Sequence, residues 1–446
     1  MKVNFFLALL MVFYATLPAQ KSRQSAPVFN PAARPLNLSD SALLDLVQKQ
    51  TFRYFWDFAH PVSGMARERS NTDAGYGHET IATGGTGFGL MSVIVAVERG
   101  WISRDTAARF IRKMINFLIK ANAYHGAYPH WLDGSTGKII PFSRKDDGGD
   151  LVETAYLFQG LLCARQYFNR DNPVENEFRQ KLNWLWTGIE WNWFTQGQDV
   201  LYWHWSPNNG WAMNFPVRGF NECLIMYVLA ASDDHYPVSP AVYHKGWAQS
   251  NFFKNGKEFY GYKLPLGFDY GGPLFFSQYS FVALDPRGLK DQYADYWEQN
   301  KNHTLINRAY CLDNPRDFKG YGEKCWGLTA SDTYNGYNAF SPTNDEGTIS
   351  PTAALSAFPY TPEYSMMALK HFYYDLGDKI WSEYGFTDAF NETKNWYAKS
   401  HLAIDQGPII VMIENYRSGL LWKLFMSCPE IQKGLKRFGF ESPHIK

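Results

Sequence analysis

Four carboxylates set among glycines and aromatic rings are the residues of this chain best suited to chemistry. Asp146, Asp150 and Glu153 fall within the segment Ser143 to Thr154, and the Asn221-Glu222 pair follows about 70 residues later. Two carboxylic groups flanking a glycosidic bond divide the work of hydrolysis, one protonating the leaving oxygen while the other activates water. Aromatic rings stack on pyranose faces. Together these residue types point to hydrolysis of a sugar linkage.

Each acid also has a plain structural use. Asp150 and Glu153 stand three residues apart at the head of an apolar run, the spacing of a capping box in which each side chain satisfies a first-turn N–H. Asp146 sits in a loop tightened by Gly148 and Gly149, where an aspartate can stabilise a turn or face a substrate. Glu222 follows Asn221, a residue suited to an N-cap, and a helix N-terminus would lower a carboxyl pKa. A proton donor needs the opposite shift, supplied by burial or by a neighbouring acid such as Asp146 or Asp150. For the base, Asp405 ahead of Gly407-Pro408 is the first candidate and Asp150 the second. Glu414 is expected to pair with Arg417 within one helix.

The rings cluster near these acids. Trp203, Trp205 and Trp211 lie in or beside the loop Tyr202 to Pro207, ahead of Arg218 and Asn221, and His130-Trp131 precedes the acidic segment. Trp326, Tyr334 and Tyr337 surround Asp332 in a further glycine-containing loop. Rings in loops are less bound to a core than rings on helix stripes, so all of these are read as lining a substrate cleft.

Composition narrows the classes. The chain has 446 residues with 43 basic and 43 acidic side chains, which leaves no net field for a polyanion and argues against nucleic acid as a partner. No phosphate-cradling loop calls for a cofactor, and no Cys or His spacing calls for a metal. Lys2, the apolar run Phe5 to Ala15 and Leu17-Pro18-Ala19 resemble an export signal over residues 1–19, which implies a periplasmic or secreted protein without integral membrane association after cleavage. Residues 20–37 are polar and proline-containing, and read as a flexible leader. Of five cysteines, Cys311 and Cys325 bracket a turn-rich loop as a possible disulfide.

The elements that must position these groups are helical. Helical periodicity runs through 40–58, 104–118, 151–168, 178–193, 222–231, 362–376 and 408–425, ten to twelve helices in all, while strand-like alternation is confined to pieces such as 200–205 and 259–264. No linker or shift of composition divides residues 38–446, which predicts one all-α domain. An all-helical domain of this size with long glycine- and aromatic-rich loops fits a double ring, the (α/α)6 barrel, whose inner helices share one orientation and gather their N-terminal loops into one cleft.

Asn71-Thr72-Asp73, Thr83-Gly84-Gly85-Thr86-Gly87-Phe88-Gly89, the segment 142–154, Gly219-Phe220-Asn221-Glu222, Gly327-Leu328-Thr329-Ala330-Ser331-Asp332 and Ile404-Asp405-Gln406-Gly407-Pro408 resemble, in order, the bacterial glucoamylase-like proteins of glycoside hydrolase family 144. The resemblance implies an (α/α)6 barrel, hydrolysis of β-1,2-glucan with inversion, no metal or organic cofactor, and Glu222 at the position of the general acid. Such enzymes cut within the chain or release sophorose from one end. Two other readings use the same features less fully. A polysaccharide lyase on this toroid would need cationic groups to neutralise a uronate, and a non-enzymatic glycan-binding protein would leave the acidic cluster without a role.

Overall fold

The computed structural model describes residues 29–72 and 77–445; the expected export segment, residues 20–28 of the expected leader and Asp73 lie outside them. Thirteen α-helices occur among the described residues: α1 (Asp40–Trp56), α2 (Thr83–Glu98), α3 (Arg104–Leu118), α4 (Leu151–Tyr167), α5 (Pro173–Thr187), α6 (Leu224–Ser232), α7 (Tyr296–Asp313), α8 (Pro351–Leu355), α9 (Pro362–Lys370), α10 (Gly377–Ile380), α11 (Ala403–Arg417), α12 (Leu420–Met426) and α13 (Pro429–Arg437). Side-chain caps fix several starts: Ser39, Ser103, Asp150, Asn172 and Asp295 each accept a first-turn N–H.

The helices fall into two kinds. In α2, α4, α6 and α11 nearly every residue is buried, whereas α3 buries only the stripe Ala107, Ala108, Ile111, Met114, Ile115 and Leu118. Helices apolar on all sides need neighbours on all sides, and amphipathic ones close the outside. The result is the (α/α)6 toroid. In the inner ring α2 packs against α4 and α11, α4 against α6, and α11 against α8; α1 covers α11 and α2 from outside.

The contact between α2 and α4 is made by backbone. A Cβ at Gly87 would stand 2.0 Å from Tyr156 O, and one at Gly160 would stand 2.0 Å from Gly87 O. Glycine costs about 1 kcal/mol of helix propensity relative to alanine, and here it permits an approach that no side chain allows. Two large apolar clusters result, one dominated by α2, α4 and α6, the other by the segments around α8 and α9; α1 and α11 contribute to both.

Short strands frame the cleft end. β1 (Thr80–Ala82), β2 (Trp131–Asp133) and β3 (Ile139–Ile140) form an antiparallel sheet with Ala82 opposite Trp131, and β4 (Gly149–Asp150) pairs with β5 (His204–Trp205), setting Asp150 opposite His204. Two antiparallel hairpins follow at Glu258–Phe259 with Tyr262–Lys263 and at Ala330–Thr333 with Gly336–Ala339.

Several boundaries differ from periodicity. The helix expected at 178–193 begins at Pro173 behind the Asn172 cap and stops before Gly188. That expected at 408–425 is two, α11 and α12, divided at Gly419, whose φ of 68° suits glycine. The run 362–376 turns π-helical after Lys370. Glu414 does not pair with Arg417: it holds Arg99 at 2.8 Å, while Arg417 reaches back to Asp45 and Gln48 on α1. All five cysteines are buried free thiols, Cys311 and Cys325 included. Within the expected leader, Arg34 is largely buried and donates to the carbonyls of Pro31 and Tyr373, both at 2.9 Å, besides pairing with Asp378.

Candidate active site

Inner helices deliver their N-terminal ends to a cavity of about 350 Å³. Ala82 and Gly85 come from the start of α2, Val152, Glu153 and Tyr156 from α4, Glu222 from just before α6, and Leu402 and Ile404 from the start of α11. Phe275 and Tyr279 enter from short 3₁₀ turns, Tyr337 from the hairpin after Asp332, and Trp131, Phe142 and Trp203 from the strands and loops at the mouth. The walls are therefore mostly aromatic, with Glu68, Glu153 and Glu222 as acids, and His130 and Arg69 as basic groups.

On one side the acids gather around His130. Asp150 is fully buried: its Oδ1 accepts the N–H groups of Val152 and Glu153 at 3.0 and 2.9 Å, and its Oδ2 meets Trp203 Nε1 at 3.0 Å and His130 Nδ1 at 3.2 Å. The capping box holds in half. Asp150 caps α4, but Glu153 turns away and accepts the Gly84 N–H at 2.7 Å, so α2 and α4 are joined through that carboxylate. His130 Nε2 lies 3.9 Å from Glu153, and despite burial the charges of Glu153, Asp150 and Asp146 push the imidazole up to about 9, which makes it a cation at neutral pH. Phe142 stacks on its ring at 4.1 Å.

Asp146 is buried behind this group, its Oδ1 3.3 Å from His204 Nε2, the nitrogen that also accepts the Gly148 N–H. Burial, with Asp150 and Glu153 nearby, pushes its carboxyl up to about 7. Its neighbour Asp147 accepts from Ser206, Asn208 and Asn209 and ties the acidic loop to the aromatic one.

Glu222 has a fixed backbone, and its carboxyl meets its own N–H and the Cys223 thiol. Its carbonyl accepts the Ser280 hydroxyl at 2.5 Å and the Tyr156 hydroxyl at 3.4 Å, while its side chain lines the cavity. Asn221 does not cap α6; its Oδ1 makes a turn onto the Cys223 N–H, and the helix starts two residues after Glu222. Burial pushes the Glu222 carboxyl up to about 7, with the charge of Glu153 adding to the shift and the Glu222 N–H and Cys223 opposing it. Burial thus outweighs the helix end, giving an acid that still holds its proton near neutrality.

A second acidic group gathers around Arg69. Arg69 bridges Glu68 at 2.8 Å and Asp332 at 3.1 Å, and Ser400 donates to Asp332. Asp405 is buried one layer behind the wall; its Oδ1 accepts the hydroxyl of Tyr279, a wall residue, at 3.1 Å. Burial pushes Asp405 up to about 7, and Asp388 lies hydrogen-bonded to it.

The predicted residues thus divide. His130, Trp131, Glu153, Trp203, Glu222 and Tyr337 line the cavity, and Asp146, Asp150, Asp332 and Asp405 brace it from behind. Trp326 is no platform: it is fully buried in the second core cluster. Trp205 and Trp211 pack around Trp193 on an outer aromatic shelf, away from the cavity wall. Arg218 is solvent-exposed against the carbonyls of Lys245 and Gly246, and Tyr334 is exposed beside Lys394. Glu68, Tyr156, Phe275, Tyr279 and Asp388 carried no sequence signal that singled them out, although Tyr156 stands three residues from Glu153 and so shares its helix face; Phe142 opens the segment 142–154 but was not picked out as a wall residue.

His130, Asp146 and Asp150 also bring possible ligand atoms within 4.8 Å of one another. Asp150, however, already receives four protein donors, and His130 Nδ1 is one of them. The donor set fits a hydrogen-bonded ion cluster better than a cation cage.

Comparison with known proteins identifies the fold and the family. The Glycoamylase family model, described as "Putative glucoamylase", matches residues 214–429. The endo-beta-1,2-glucanase of Chitinophaga pinensis, solved with sophorotriose and glucose, is 55% identical with a TM-score of 0.89, and the match covers 92% of this chain and all of that one. The chain belongs to the bacterial glucoamylase-like family, glycoside hydrolase family 144. A family member from Bacteroides uniformis, whose structure carries the same glucoamylase description, is 63% identical with a TM-score of 0.90, covering 92% of this chain and all of that one. An exo beta-1,2-glucooligosaccharide sophorohydrolase (non-reducing end) of Parabacteroides distasonis is 45% identical over 422 residues; the match covers 90% of this chain, which spans 58% of that relative's length. Among the described residues no helix is long and apolar enough to cross a membrane.

Proposed function

We propose that the protein is an exported or periplasmic glycoside hydrolase that cleaves β-1,2-linked glucan or its oligosaccharides with inversion at the anomeric carbon. The observation that carries this reading is Glu222, a carboxyl projecting into an aromatic cavity and held protonated near pH 7 by burial. Such a group donates a proton to a leaving glycosidic oxygen. The substrate is taken from the relatives, named for endo-beta-1,2-glucanase and beta-1,2-glucooligosaccharide sophorohydrolase activities.

Glu222 is the acid in this reading, and Asp405 is preferred to Asp150 as the base. Both Asp150 oxygens are occupied by protein donors, whereas Asp405 stands behind the hydroxyl of the wall residue Tyr279, positioned to receive a proton relayed from the attacking water. Trp131, Trp203 and Tyr337 offer faces and edges to sugar rings.

Stereochemistry tests the mechanism. Inversion at a β-linkage yields the α-anomer first, so NMR in the first minutes of hydrolysis is expected to show α signals growing before mutarotation. Early β-anomer would mean retention through a covalent intermediate and would remove Asp405 as base. Time-resolved products from linear β-1,2-glucan give the mode of attack: a ladder means cleavage within the chain, and sophorose alone means release from an end.

A further inference from the structure

No sequence motif marks Asp388; the fold brings it to Asp405. Its backbone is held at both ends, its N–H donating to Ser400 O at 2.9 Å and its carbonyl accepting the Ser350 hydroxyl at 2.6 Å. Its Oδ2 accepts the Asp332 N–H at 2.7 Å. Asp405 is fixed as firmly, its carbonyl accepting from Thr352 at 2.7 Å and its Oδ1 from Tyr279. The two side chains are only 2% and 1% exposed and hydrogen-bond to each other. The oxygens left over, Asp388 Oδ1 and Asp405 Oδ2, are buried and find no other donor among the described residues.

Two buried carboxylates at hydrogen-bonding distance do not both ionise, so the pair shares one proton. The charged and titratable groups around it decide where that proton stays. Asp388 faces Asp405 and Asp332; Asp405 faces Asp388, Asp332, Glu68 and the hydroxyls of Tyr279 and Tyr337. Arg69, whose charge also reaches Asp388, is salt-bridged to Glu68 and Asp332. We propose that Asp388 is a positioning residue that keeps the shared proton and donates it as a hydrogen bond to Asp405, so that Asp405 stays ionised and ready to act as the base. The assignment rests on the role given to Asp405 above. Asp405 bonds a hydroxyl of the cavity wall, Tyr279, whereas Asp388 bonds backbone through its Oδ2, so Asp405 is the member placed to exchange a proton with the cavity and Asp388 the one placed to hold it.

The proton count over one turnover closes. Glu222 gives its proton to the leaving oxygen, water gives hydroxide to the anomeric carbon and its proton to Asp405, and solvent returns one proton from Asp405 to Glu222. Asp388 keeps its own proton throughout.

The test is the pH dependence of kcat/KM on β-1,2-glucooligosaccharide for Asp388→Asn, which keeps a weaker donor, and Asp388→Leu, which keeps none. The acid limb is expected to move to higher pH in the order Asp, Asn, Leu, by about one unit for Leu, with kcat on the plateau changed less than kcat/KM on the limb. An acid limb that stays in place in the folded Asn variant, or moves to lower pH, overturns the proposal even if the Leu variant does not fold. Asp405→Asn separates the two ideas. If it abolishes activity while the Asp388 variants keep the wild-type limb, only the role of Asp388 fails; if it leaves activity and limb intact, the base assignment fails and takes the proposal with it.

Discussion

The Trp203 indole N–H donates to Asp150 Oδ2 at 3.0 Å, so a ring that faces the cavity also anchors the acid that caps α4. That bond joins the aromatic loop to the inner ring and fixes the plane of the indole. Trp203→Phe keeps a ring and removes the donor. A hydrogen bond to a charged group contributes about 2 kcal/mol, so urea unfolding should show a loss of that size, accompanied by a lower kcat/KM.

Glu222→Gln keeps the shape of the side chain and removes its proton. kcat should fall about 10²- to 10⁴-fold while binding of oligosaccharide, measured by calorimetry, persists. Activity within a factor of two of wild type would assign Glu222 a purely structural place.

Stability should decline as pH rises. Asp146, Glu222 and Asp405 are each raised to about 7, above their ordinary values, so the folded state binds more protons and these groups stabilise it fully only below their unfolded values, losing that contribution as pH climbs through 7. His130, raised to about 9, works in the same direction at higher pH. Tm should therefore be lower at pH 8 than at pH 5, and Glu222→Gln should lessen the difference.

Arg69→Met would leave Glu68 and Asp332 facing each other without the cation between them. Removing one member of a buried ion pair costs about 3–5 kcal/mol. Chemical denaturation should register a loss in that range, and Asp332→Asn made in the Arg69→Met background should recover part of it.

Gly87→Ala places a Cβ against Tyr156 O, a backbone atom that cannot swing aside. Overpacking of this kind costs about 1–3 kcal/mol or more. The variant should melt well below wild type, whereas alanine at Gly197, where nothing lies within 4 Å, meets no such clash and is strained only by its φ of 72°.

Much of the toroid was legible because helix periodicity and caps are local signals: Ser39, Ser103 and Asp150 mark their helices in sequence as they do in space. The acids Asp146, Glu153 and Glu222 stood out because carboxylates beside glycines are unusual in an apolar setting. Trp326 misled because its glycine-containing segment leads to Asp332, while in the fold it is buried in the second core cluster together with Leu328 and the residues of α8. Asp388 and Tyr279 were invisible for the opposite reason. Each bonds Asp405, Tyr279 from 126 residues away and Asp388 through a loop, contacts that no spacing encodes.

The inner ring also sets an order of assembly. Its first helix, α2, and its last, α11, are neighbours, and α1 seals the seam between them. Glu68 and Asp405, opposite ends of the site in sequence, therefore come within electrostatic reach only when that seam closes. A nascent chain that has emerged through α6 already carries Glu222 and the His130 cluster, yet it has one half of a reaction centre. On the proposed mechanism the acid and the base meet only with the ring closed, and a chain cut short before residue 405 is expected to show no turnover.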